Sequence, residues 1–256
     1  MRRILESAGA GIFALSLAAC AYNPDLGRSQ FLLVNDAALA QSAQQAWAQT
    51  LATSKVSDDR AAQARVQKVG ARLVAAAGLG DRSWEYVVFE DPQANAFVLP
   101  GGKVGVNTGL LAIVENDDQL AAVIGHELAH SVANHAAERY SQTAATQLAL
   151  GIGQSALGGR VGAETAQRIA AFGGIGAQLG VLLPFSRRHE LEADRLGVDF
   201  MARAGYRPAE AVKLWRNMQA AGSGGRLPQF LSTHPSEATR TAELERYIAG
   251  MPPARP

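Results

Sequence analysis

The stretch "GHELAHSVANHAAERY", residues 125 to 140, constrains the fold more than any other part of the chain. His126 and His130 stand four residues apart, so on a helix they lie within about 40° of each other and point the same way. Glu127 sits beside that pair. Two imidazoles on one helical face can reach a single zinc ion, and an adjacent glutamate can reach a water at the metal. The segment must therefore be a helix, and some other element must complete the site.

A third histidine does not come from the same run. The pattern HExxHxxGxxH would need glycine and histidine where this chain has Ala133 and Ala136, and His135 stands one place early. On a continuing helix His135 falls on the stripe of Leu120, Ile124 and Leu128, nearly opposite the pair. That assigns it a packing or supporting role. "RRHELEADRLG", residues 187 to 197, offers the missing ligand. Glu190 and Asp194 share a helical face while Glu192 points elsewhere. Glu190 could bind zinc, with Asp194 behind it holding an imidazole N–H. The alternative is an exposed charged helix, since acids and bases mix freely there.

The rest of the chain sets the frame. Its 256 residues suffice for one sizeable domain or two small ones. A net charge of +1 gives no reason to expect a nucleic-acid partner. Abundant Ala and Gly with 6% aromatics favour closely packed helices. The start, "MRR" followed by "SAGAGIFALSLAA", reads as a signal peptide over residues 1–19. It ends in "LAAC", which resembles the lipobox of bacterial lipoproteins. Cys20 is the one cysteine, and acylation would account for it. Ala21 after it points to the outer membrane by the sorting tendency of such lipoproteins. The expected layout is a lipidated tether over 20–35, a single domain over 36–250 and a tail over 251–256.

Within the domain, helices are expected from Asp36 to Ala77 with a break near "TSKVSDD", the second capped by Ser57 or Asp58. "WEYVVFE" reads as a strand, "DPQANAFVLPGG" as a turn-rich link, and "KVGVNTGLL" as a strand turning helical at Leu110. Asn116 with Gln119 resembles a capping box at the head of the HExxH helix. The uncharged piece 169–185 reads as part of a small-residue helical hairpin in preference to a membrane span. "GSGG" at 222–225 is a break, and a loop through "STHPSEATR" leads into a last helix.

Four segments, HELAH at 126–130, NAFVLPGG at 95–102, TGLL at 108–111 and SRRHELEADRLG at 186–197, resemble in their order the HtpX and CAAX-prenyl-protease family of zinc metallopeptidases, which are gluzincins. The likeness extends from about Gly27 to about Tyr247 and is strongest toward its periplasmic lipoproteins and β-barrel-assembly-enhancing proteases. It implies an α+β, mostly α, zincin-like domain with a small β-sheet beside the HExxH helix, binding one zinc ion per chain. His126, His130 and Glu190 would be the ligands, Glu127 the general base and Asp194 their support. Asn95, Ala96 and Phe97 would edge the substrate cleft, and His234 would stand near the metal. The expected activity is hydrolysis of misfolded or unassembled envelope proteins at the periplasmic face of a bacterial outer membrane, beside the outer-membrane assembly machinery. A non-proteolytic assembly factor with a structural zinc is the rival, and Glu127 argues against it. Transmembrane helices, present in membrane-embedded relatives, are not evident around the HExxH segment.

Overall fold

The computed structural model describes residues 20–34, 36–156, 185–222, 228–235 and 238–252. The leader over 1–19, nearly all of the uncharged piece 169–185, most of the "GSGG" break and the tail beyond Pro252 lie outside them. The fold is mostly helical, as expected, with a second small sheet beside the one expected. In chain order the elements are β1 (Cys20–Asn23), β2 (Arg28–Phe31), α1 (Asp36–Thr53), α2 (Arg60–Ala76), β3 (Glu85–Phe89), β4 (Ala96–Leu99), β5 (Lys103–Asn107), α3 (Thr108–Leu111), α4 (Asp117–Val132), α5 (His135–Ala156), α6 (Arg187–Arg203), α7 (Ala209–Gly222), α8 (Gln229–Thr233) and α9 (Ala238–Ala249). Among the described residues no helix is long and apolar enough to cross a membrane.

Helix α4 is the centre. Asn116 caps it by accepting from the Gln119 N–H at 2.9 Å, and the Gln119 side chain in turn accepts from the N–H of Glu115. Asp117 and Asp118 add negative charge in the first turn, where the helix dipole favours it. Every residue from Gln119 to His130 is buried, so packing surrounds this helix on all sides. Its tightest neighbour is α6, which crosses at Gly125 and Gly197. A Cβ on Gly197 would meet the His126 backbone nitrogen at 3.0 Å, so a larger side chain would push the two helices apart. Helix α2 lends Val66, Val69 and Leu73 to the same core. Its cap is Asp59, which accepts from Ala61 and Ala62, one residue beyond the expected Asp58.

The larger sheet runs in the order β3-β5-β4, with β3 parallel and β4 antiparallel to β5. Left-handed Gly101 and Gly102 make the tight return from β4 to β5. Strand β4 falls inside the segment expected to be a link. It is the edge of this sheet, while the outer side of β3 is partly covered by a bridge from Val56 to Phe89. Trp47 on α1 packs edge-on against Phe89 and Phe97, fixing α1 over the sheet.

The N-terminal stretch read as a tether carries structure. Cys20 to Phe31 form a two-stranded antiparallel hairpin, with Cys20 exposed at its start. Polar side chains dock it: Arg28 and Gln30 reach inward to Glu138 and Glu192, contacts too far away in sequence for local pattern to reveal.

Candidate metal centre

The end of α4, the start of α6 and the residue after α8 bring four donor atoms together. His126 Nε2 lies 3.1 Å from His130 Nε2 and 3.3 Å from His234 Nδ1. Glu190 Oε1 is 3.0 Å from His234 Nδ1 and 3.4 Å from His130 Nε2. The four residues are buried, and one ligand atom from each lies within 4.8 Å of every other. Tetrahedral ligands at zinc–nitrogen distance stand about 3.3 Å apart, so this spacing fits zinc. The charges fit as well. Glu127, Glu190 and Asp194 are all buried here, and the guanidinium in contact with Glu190 and Asp194 is that of Arg240. Burial opposes protonation of His126, yet Asp194 and Glu190 outweigh it and lift its pKa to about 9. His130 goes the other way: burial, with His126 beside it, holds its ring well below the ordinary imidazole value.

Outer contacts set the rings. His126 Nδ1 lies 3.0 Å from Asp194 Oδ1, a close but bent contact. Arg240 donates to both Asp194 oxygens, at 2.6 and 2.8 Å, and its Nη1 touches Glu190 at 2.5 Å. Although burial alone would raise them, Arg240 holds the carboxyls of Glu190 and Asp194 below their ordinary values. His135 is not opposite the pair as a continuous helix would place it. Helix α4 ends at Val132, Asn134 takes a left-handed φ of 51°, and α5 restarts at His135. That break swings His135 Nδ1 to 3.0 Å from His130 Nδ1, while its Nε2 stands 3.0 Å from Glu192. Burial keeps the ring neutral by lowering its pKa to about 4.

Glu127 faces the cleft. Burial pushes its carboxyl above the ordinary range, against the pull of His234 and His126 and of a hydrogen bond from the Val98 N–H. Its Oε1 lies 3.1 Å from His234 Nε2 but has no well-directed hydrogen bond. A cavity of about 30 Å³ lies beside it, lined among others by Asn95, Ala96, Phe97, His130 and His234. The ring of Phe97 is largely engaged by Trp47 and Phe89. Sequence reasoning missed two residues here. Phe185 stacks on His130 at 3.9 Å between centroids and lines the cavity. Arg240 stands six residues after His234 in "THPSEATR", in the first turn of α9, and no motif ties it to the carboxylates of α6.

Residues 60–248 match the family model for peptidase family M48. The mitochondrial metalloendopeptidase OMA1 of Schizosaccharomyces pombe is 40% identical over 184 residues, covering 72% of this chain and 52% of that protein. Human OMA1, also a mitochondrial metalloendopeptidase, is 28% identical over 239 residues, 88% of this chain and 45% of its own. The β-barrel assembly-enhancing protease of Escherichia coli is 27% identical over 192 residues, 73% and 39%. The chain thus spans about half the length, or less, of these relatives. They overturn the expected place at a bacterial outer membrane, since the likenesses at 37 to 40% identity from two yeasts and Arabidopsis thaliana are mitochondrial proteins. The expectation rested on residues 1–21, which lie outside residues 60–248 that match the family model. With four donors gathered around a HExxH helix and a match running through all of them, the chain belongs to peptidase family M48.

Proposed function

We propose that this chain is a zinc-dependent endopeptidase acting on misfolded or unassembled polypeptides. The observation that carries the reading is Glu127: a buried carboxylate with an undirected oxygen, beside the ligand cluster and facing an open strand edge. His126, His130 and Glu190 would hold the metal. When bound, zinc supplies a Lewis acid that acidifies water and polarises a carbonyl. Glu127 takes the water proton and passes it to the leaving amine, and its raised pKa suits both transfers. Strand β4 lies next to Glu127, so an extended substrate can add to that edge through backbone hydrogen bonds. Such pairing is indifferent to most side chains, which suits unfolded substrates. The metalloendopeptidase names of the relatives support the same chemistry.

His234 gives a second reading some footing. Its Nδ1 stands at ligand distance from His126 and Glu190, which makes a closed four-donor set of the kind a structural zinc has. A structural site has no use for a base, however, and Glu127 is there. We take His234 as a cap that would occupy a donor position at rest and that an incoming substrate would have to displace. The test is digestion of an unfolded protein, with and without chelator. Glu127→Gln should keep its zinc and lose at least about a hundredfold in rate, and activity within a few-fold of wild type would refute the mechanism. His234→Ala should raise the basal rate. A fall on the order of a hundredfold would instead make it an oxyanion donor.

A further inference from the structure

The N-terminal hairpin precedes residues 60–248, which match the family model, and yet its side chains reach Glu192, which is bonded to the neighbour of a metal ligand. Arg28 on β2 donates to both oxygens of Glu192, each at 2.7 Å, and to both oxygens of Glu138, each at 2.8 Å. Gln30 donates to Glu138 at 2.6 Å and to the carbonyl of Ala133 at 2.7 Å. That carbonyl belongs to the break between α4 and α5, one residue before left-handed Asn134. The hairpin therefore pins the bend that aims His135, and it also pins Glu192, to which His135 is bonded.

The hydrogen-bond roles along this row follow from its far end. Glu192, ionised between the donors of Arg28, can only accept. His135 Nε2 must then donate to it. A neutral imidazole that donates through one nitrogen accepts through the other, so His135 Nδ1 accepts from His130 Nδ1–H. His130 is left with its lone pair on Nε2, the atom in the donor cluster. We infer that Arg28, Glu192 and His135 form a positioning chain that fixes the tautomer and orientation of His130, making the N-terminal hairpin a working part of the metal centre. This rests on the zinc reading of the cluster. His126 has its own contact in Asp194, so α6 supports both histidine ligands, His126 directly and His130 through Glu192 and His135.

The chain predicts where zinc affinity is set. Affinity of the full protein can be measured by competition with a chelating dye, and ligand geometry by the visible spectrum of the cobalt(II)-substituted form. His135→Phe should weaken zinc binding by about 10- to 100-fold and shift the cobalt spectrum. Arg28→Met should weaken it in the same direction from a site outside residues 60–248. Glu192→Gln keeps size and shape but can present a donor to His135, which reverses the forced tautomer. It should also weaken zinc, and it carries the test if His135→Phe fails to fold. A purely structural hairpin would lower thermal stability in these variants while leaving affinity within about twofold and the cobalt spectrum unchanged, and that result overturns the inference. Wild type that takes up no zinc would refute the zinc reading itself, and the positioning chain with it.

Discussion

Arg240 shows how much one side chain can hold at the residue scale. It is buried, stacks over Trp215 at 5.0 Å and meets both Asp194 oxygens and Glu190. Removing one partner of a buried ionic cluster leaves charge uncompensated, at a cost of about 3–5 kcal/mol. Arg240→Met should therefore lower the unfolding free energy of the metal-free protein by that order, as read from urea denaturation. Arg240→Lys should recover only part, because an ammonium cannot span both carboxylate oxygens. A loss below about 1 kcal/mol in the methionine variant would mean that water or a neighbour takes over the role. The contrast with Glu190 is instructive. Glu190 and Asp194 were legible because a helix repeats every 3.6 residues and so converts spacing into direction. His234 lies on a segment with no repeat and Arg240 in the first turn of another helix, and only the folded chain brings both to Glu190. His135 was misplaced for a related reason, since helical arithmetic ran straight through a break that depends on Gln30 from the hairpin.

Elements meet most tightly where α4 crosses α6. Gly in a helix interior costs about 1 kcal/mol relative to Ala, so propensity alone disfavours both Gly125 and Gly197. Packing explains them: the Gly125 Cβ would lie 3.1 Å from the Gly197 carbonyl, and the Gly197 Cβ 3.0 Å from the His126 nitrogen. Two helices this close hold Glu190 and Asp194 of one against His126 of the other. Gly197→Ala should push α6 outward by a few tenths of an ångström. The helix itself would gain propensity, so helical content measured by circular dichroism should stay unchanged. Zinc affinity should fall on the order of tenfold, the scale seen when the support of a ligand is disturbed. Unchanged affinity would mean that the crossing relaxes without moving the carboxylates. The HExxH helix, the strands at 85–89 and 103–107 and the start of α6 were legible from period, caps and motif. The hairpin and β4 were not, because four-residue strands with mixed burial carry too little alternation to read.

Across the whole molecule the metal centre is a junction. Its donors come from α4, α6 and the residue after α8, segments far apart in sequence. The imidazole nitrogens of His126 and His130 face each other at 3.1 Å, next to Glu190. An ion held there would crosslink the three segments. Anything that binds the folded chain alone stabilises it by mass action, about 2.7 kcal/mol when free zinc is a hundred times its dissociation constant. For a chain of this size that corresponds to a thermal midpoint about 5–10 °C higher than in chelator. His130→Ala, which removes a ligand on α4, should abolish most of the zinc-dependent rise. His234→Ala should retain most of it if His234 is a displaceable cap, because three ligands remain. Differential scanning calorimetry of the three proteins at matched free zinc decides the matter, and a rise lost equally in both variants would make His234 a full structural ligand and the site a closed one.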